Sequence, residues 1–122
     1  MAYERAGRTQ DPVQALKNLL ANDDDITTRK VTIVGGAAHV RGEVIGKITA
    51  SGKYALSAAA AADGSETPDL VLAEDVDATG GDREAIAYET ATVVSTALIL
   101  GAGHTVASIR EGLRGKGIKI DD

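Results

Sequence analysis

The spacing of apolar residues changes character twice along the chain. Near the N-terminus, Asp11-Pro12-Val13-Gln14-Ala15-Leu16-Lys17-Asn18-Leu19-Leu20 places Asp at a helix N-cap and Pro at the first helical position. Val13, Leu16 and Leu20 then recur at helical spacing, which predicts a short helix over about 12–21, ended by Asn22 and the triplet Asp23-Asp24-Asp25. Two to three turns are marginal alone in water, so this helix needs the domain or a partner to pack on. From Thr27 the period shortens to that of strands. Arg29–Val34 reads as a strand stopped by Gly35-Gly36, and Val40–Thr49 as a second, bent at Gly42 and Gly46. Lys53–Leu56, Asp69–Glu74 and one or two strands within Glu84–Leu100 follow, the last with Ile86, Tyr88, Val94, Leu98 and Leu100 counted onto one face. The helical period returns after Gly101-Ala102-Gly103. Thr105 is its N-cap, Val106, Ile109 and Leu113 form its apolar stripe, and Gly115 and Gly117 end it. Ile118-Lys119-Ile120 adds a final short strand. The pattern therefore divides the chain into an N-terminal arm, residues 1–28, and a β-rich domain, residues 29–122, with a helix at about 105–115.

Composition narrows what this domain can be. The 122 residues fit one domain, and hydrophobic residues are 43% of them, but aromatic residues only 2%, with three Tyr and no Phe or Trp. A core of Val, Ile, Leu and Ala buries little area per side chain, so association with other copies is the expected supplement. There are no cysteines, which excludes disulfide bracing, and no apolar run nears the roughly 20 residues needed to span a bilayer. The net charge of −5 with no aromatic platform argues against nucleic acid as a partner. Eight carboxylates against one base, Arg83, lie between Asp63 and Glu84.

The candidate chemistry is thin. Gly46–Lys53 departs from a phosphate-binding loop: five residues separate the glycines and Tyr54, not Ser or Thr, follows the lysine. Asp75, Asp77 and Asp82 lack the spacing of a calcium loop and read as solvated acids beside a strand. His104, with Ser108 and Asp75 as paper partners, is the one hydrolytic candidate, and no local pattern supports it. Gly101-Ala102-Gly103 ahead of the helix reads as a turn rather than an anion site. Lys47 and Lys53 lack the sequence context of a swinging-arm carrier lysine. The run Ser57-Ala58-Ala59-Ala60-Ala61-Ala62-Asp63-Gly64 favours a helix by propensity, but five alanines are too few, and it reads as a connection closed by an Asp-Gly turn.

One ordered set of segments carries a resemblance. Arg41-Gly42-Glu43-Val44-Ile45-Gly46-Lys47-Ile48, Gly52-Lys53-Tyr54 and Ala62-Asp63-Gly64-Ser65 leading to Pro68 come first. Leu72-Ala73-Glu74-Asp75-Val76-Asp77, then Leu100-Gly101-Ala102-Gly103-His104-Thr105 and Gly117-Ile118, follow in order. Together they resemble the lambda-type bacteriophage head decoration (capsid cement) proteins over residues 29–120. The resemblance implies a mostly β fold with a C-terminal α-helix, of β-clip or β-tulip type, with an N-terminal arm. It further implies a homotrimer on the outside of an expanded phage head at three-fold and quasi-three-fold positions, with the major capsid protein of the same phage as partner. No catalysis, cofactor, metal, small-molecule substrate, nucleic acid or membrane is implied. In that family the arm is loose until it meets the capsid, where it often adds a strand; here the stretch carries a helix signal instead. Its capsid- or subunit-binding residues would be Pro12, Val13, Leu16, Leu19 and Leu20. The runner-up readings are a small β-rich carrier or ligand-binding domain and, behind it, a hydrolase using His104.

Overall fold

A computed structural model describes residues 19–21 and 26–121. Eight strands appear: β1 (Thr27–Ile33), β2 (Ala38–His39), β3 (Val44–Lys47), β4 (Tyr54–Leu56), β5 (Pro68–Leu72), β6 (Val76–Asp77), β7 (Arg83–Val94) and β8 (Ile118–Asp121). A 3₁₀ turn (Ser95–Ala97) and one helix, α1 (Val106–Lys116), complete the described elements. The fold is mostly β with a C-terminal helix, as expected. Among the described residues no helix is long and apolar enough to cross a membrane.

Hydrogen bonding runs β1–β4–β3–β5–β7 and returns from β7 to β1, so five strands close into a small barrel, with β8 added parallel to β7. Closure removes most of the edges that would invite non-specific pairing. Period-two alternation then gives each strand an inner and an outer residue. Ile45, Leu70 and Leu72 point inward with Val31, Ile33, Tyr54, Ala78, Ala85 and Ala87. Val44 and Val71 point outward, where Ile109 and Leu113 of α1, Ile118 of β8 and Leu19 cover them. Burying one such aliphatic side chain contributes about 1.5–3 kcal/mol, and α1 supplies two. Tyr54 and Tyr88 are the large side chains of a core without Phe or Trp, one in each cluster.

β7 corrects the face assigned from its alternation. Thr28 pairs with Tyr88 while Thr27 pairs with Thr90, so Glu89 is an extra residue in the strand. A bulge of this kind exchanges the two faces beyond it. Ala85 and Ala87 thus lie inside the barrel, whereas Tyr88, Ala91 and Val93 lie outside it under α1. Ile86 and Val94 are only partly buried, and Leu98 and Leu100 fall beyond the 3₁₀ turn, off the strand.

The single strand expected over Val40–Thr49 is broken for a local reason. Gly42 has φ +101°, and a side chain there would press to 2.8 Å from the Ala97 carbonyl oxygen. Residues 40–43 therefore turn, leaving β2 to pair with β6 and β3 to begin at Val44. The alanine run is a turn, with Ala61 N–H bonded to Ala58 O and Ala59 N–H to Ala102 O. Helix α1 is closed at both ends by local chemistry. Thr105 and Ser108 exchange capping hydrogen bonds, and Gly117, at φ +108°, is the left-handed C-cap; Gly115 lies within the helix.

The helix expected over about 12–21 lies mostly outside the described residues. At its end Leu20 bridges Val93 and Ala21 N–H bonds to Thr92 O at 2.9 Å. The chain is thus tied to the outer side of β7 before Thr27 begins β1.

Candidate functional site

Of the arm residues expected to bind, Pro12, Val13 and Leu16 lie outside the described residues. Leu19 is 2% exposed and packs in the cluster beneath α1, and Leu20 is partly buried against it. Leu19 therefore anchors the arm to the domain, with little surface left to offer a partner.

Leu19 also forms the floor of an open groove of about 630 Å³, the structure's candidate interaction surface. Its walls are Val40 and Arg41 from the β2–β3 turn, Ala73, Glu74 and Asp75 after β5, and Ala97 and Ile99 after β7. Val40 and Ile99 are the large apolar side chains left exposed among the described residues, at 43% and 39%. Both belong to backbone that is held tightly. Ile99 N–H bonds to Gly42 O at 2.9 Å and Val44 N–H to Ile99 O at 3.0 Å. Arg41 N–H bonds to the Asp75 carboxylate at 2.8 Å, and Gly42 N–H to Leu72 O at 2.9 Å. The Arg41 guanidinium donates to the Tyr88 hydroxyl at 3.2 Å. Beneath the turn, His39 Nδ1 donates to Glu43 Oε1 at 2.7 Å, and Glu43 Oε2 accepts Val40 N–H at 3.0 Å. Both side chains are buried, so the turn presents Val40 from a fixed polar base.

The sequence did not mark Val40 or Ile99. Val40 shares the parity of Gly42 and Val44 and so reads as strand core, and Ile99 sits in the apolar string Leu98-Ile99-Leu100. A detectable signal was the glycine at 42, which in a strand pattern warns of a bend.

The acidic stretch is committed to holding the fold. Asp63 accepts from Ser65, Glu66 from Gly64 N–H, Asp69 from the Tyr54 hydroxyl, and Glu74 from Ile86 N–H. Asp75 accepts from Arg41 N–H, Asp77 from Thr79, and Asp82 from Gly35 N–H and Lys53. Glu84 pairs with Lys30, so each of the eight carboxylates has a partner in the domain. The bonds from Ser65 and Thr79 hold Asp63 and Asp77 below the usual carboxylate range, and Lys53 with Gly35 N–H does the same for Asp82. Among the described residues no group of three His, Cys, Asp or Glu could hold a metal ion.

His104 meets neither Ser108 nor Asp75. Ser108 is held in the Thr105 capping box and Asp75 by Arg41. The serine that His104 does reach is Ser57, 3.1 Å from Nε2. The same Nε2 lies 3.1 Å from the Glu66 carbonyl oxygen, which can only accept. Nε2 therefore carries the proton and cannot take one from Ser57. The pair ties the alanine loop to the Gly101 turn. Lys53, weighed as a carrier lysine, is paired with Asp82. Lys47 is the last residue of β3 and pairs with Tyr54, the first of β4, so it lies in the strand just before the hairpin turn.

The domain thus has a closed barrel, acids held by partners within the fold, and an apolar groove beside Leu19. The family model described as bacteriophage lambda head decoration protein D matches residues 9–117. No curated protein sequence matches the chain. The family match spans most of the chain, which therefore belongs to that family: it is a structural protein of the phage capsid, and its role is head decoration.

Proposed function

We propose that this member of the head decoration family is a cement protein. It binds the outside of the expanded head as a homotrimer and holds neighbouring major capsid subunits together against the pressure of packaged DNA. The observation that carries the proposal is the family match over residues 9–117. The geometry supports it in two ways. The barrel is a closed, internally bonded body suited to bearing load, and the exposed apolar groove adjoins Leu19, where the arm joins the domain. The groove and the arm that enters the domain at Leu19 are both assigned to the major capsid protein. Val13 and Leu16, with Pro12 starting the segment, are its arm contacts, and Leu19 and Leu20 its root.

Three arms on one trimer bind cooperatively through effective concentration, so weak single contacts suffice for a stable coat. A lattice in which only the expanded geometry places three capsid sites within reach would exclude procapsids. The net charge of −5 suits an outer surface remote from DNA. Synthesis in the host cytoplasm follows from the same reading.

Co-sedimentation of the purified chain with expanded heads and with procapsids tests the reading. Saturable binding to expanded heads alone is expected; equal binding to both, or to neither, overturns it. Removal of residues 1–18 leaves Leu19 and β1 in place and is the informative truncation. It should preserve the trimer by size and abolish head binding.

A further inference from the structure

We propose that Asp63-Gly64 is the chain's site of spontaneous aspartate isomerisation, and that Ser65 and Glu66 form a clamp that suppresses the reaction in the folded protein. In an Asp-Gly sequence the glycine amide nitrogen, with no side chain beside it, can attack the aspartate side-chain carbonyl carbon. The N–Cγ bond forms and the Cγ–OH bond of the protonated carboxyl breaks, the amide proton leaves with that hydroxyl as water, and a cyclic succinimide results. Water then reopens the ring at either carbonyl, returning aspartate or giving isoaspartate, which adds one methylene to the backbone. No oxidant or co-reactant other than water takes part. Asp63-Gly64 is the chain's one Asp-Gly pair, and the sequence contains no Asn-Gly.

The fold obstructs each requirement of that attack. The nucleophile is occupied: Gly64 N–H donates to Glu66 Oε1 at 2.8 Å, and a carboxylate beside the nitrogen opposes the negative charge it must acquire. The electrophile is occupied as well. Asp63 Oδ1 accepts Ser65 N–H at 3.0 Å and the Ser65 hydroxyl at 2.6 Å, and Ser65 is 3% exposed. These bonds favour the ionised carboxylate, which is the poorer electrophile because loss of water needs a protonated oxygen. The backbone is fixed too. Asp63 O accepts Thr49 N–H at 2.8 Å, and Gly64, at φ +103°, packs so closely on Lys47 and Thr49 that a Cβ would stand 3.0 Å from Lys47 O. Rotating into the attack geometry requires local opening of the turn, and the free energy of that opening sets the rate.

The clamp is also tied to the rest of the loop, because the Glu66 carbonyl accepts from His104 Nε2. The inference stands on this turn and does not depend on the capsid reading. Its consequence is durability: a protein that stays in an assembled particle without replacement keeps the β4–β5 connection chemically intact.

The test is isoaspartate accumulation in the full-length chain at neutral pH. It is quantified by enzymatic methylation with a protein isoaspartate methyltransferase and located by tandem mass spectrometry of the peptide containing Asp63. The chain unfolded in urea should form isoaspartate at Asp63 about tenfold faster than the folded chain, since closed structure slows reactions that need opening. Folded Glu66→Ala should close most of that gap, and Glu66→Gln, which restores an acceptor without the charge, should fall between the two. Equal rates in the folded and urea-unfolded wild type overturn the proposal, even where Glu66→Ala fails to fold. A folded Glu66→Ala that isomerises as slowly as the wild type overturns it as well.

Discussion

His39 Nδ1 lies 2.7 Å from Glu43 Oε1, with both side chains 8% exposed, directly beneath the turn that carries Val40. The pair is buried four residues apart in sequence, yet on no helix, because Gly42 turns the chain between its members. Removing one partner strands the other. His39→Ala leaves the Glu43 carboxylate buried, still accepting from the Val40 amide but stripped of its histidine donor, and should cost about 3 kcal/mol. Urea denaturation should show this as a lower midpoint at unchanged slope. Replacing both with apolar residues of similar volume, His39→Leu with Glu43→Met, should cost less than His39→Ala alone. A double variant weaker than the single one would mean that the pair contributes net stability of its own.

Tyr54 contributes to the response to alkali. Its hydroxyl donates to Asp69 at 3.0 Å, and burial, reinforced by that carboxylate, pushes its ionisation above the ordinary tyrosine range. The folded protein therefore keeps a proton that the unfolded chain releases. Stability is fully present below a pH of about 10, and falls as pH rises from there through the folded value. Tyr54→Phe should lose about 1 kcal/mol at neutral pH from the missing hydrogen bond. It should also show a flatter alkaline limb in thermal melts across pH. An unchanged alkaline limb would assign the transition to another group.

The turn carboxylates contribute to the acid limb. Asp63, Asp77 and Asp82 are each held below the usual carboxylate range by hydrogen bonds that the unfolded chain lacks. Their contribution is present above the unfolded carboxylate value and is lost as pH falls through their lower folded values. Asp82→Asn keeps an acceptor for Gly35 N–H but removes the charge facing Lys53. Its stability should decline less steeply with acid than that of the wild type. A parallel decline would show that Lys53 does not bias this group.

Local signals in the sequence were strong enough to place α1 and β1, because their determinants lie within a few residues. Thr105 and Gly117 mark the helix ends, and Ile109 and Leu113 mark its buried face. Barrel closure was not legible, since it depends on β1 meeting β7 across some sixty residues, as in the pair Arg29 and Glu89. The bulge at Glu89 leaves no compositional trace, yet it decides that alanines face the barrel interior and that Val93 faces α1. The candidate surface was legible in part. Leu19 and Leu20 were recognisable as apolar arm residues, but their burial depends on Thr92 and Val93, more than seventy positions away. The exposure of Ile99 likewise follows from the 3₁₀ turn that ends β7 and from the partner it finds at Gly42.

The groove makes the last prediction. Val40 and Ile99 are exposed in the isolated domain while their backbones are tightly bonded, so Val40→Asp and Ile99→Asp each remove apolar surface without opening the core. Exposed substitutions of this kind change stability by about 0.5 kcal/mol or less. If the groove adjoining Leu19 meets the major capsid protein, each carboxylate must be desolvated there without a partner. Head binding should then fall by about tenfold or more, the equivalent of roughly 1.4 kcal/mol. Co-sedimentation with expanded heads, alongside urea melts and size measurements on the same samples, separates the cases. Lost binding with particle size and stability intact places the groove on the capsid-facing surface. A smaller particle at unchanged stability places it between subunits instead, and a variant that saturates heads like the wild type removes it from the binding surface.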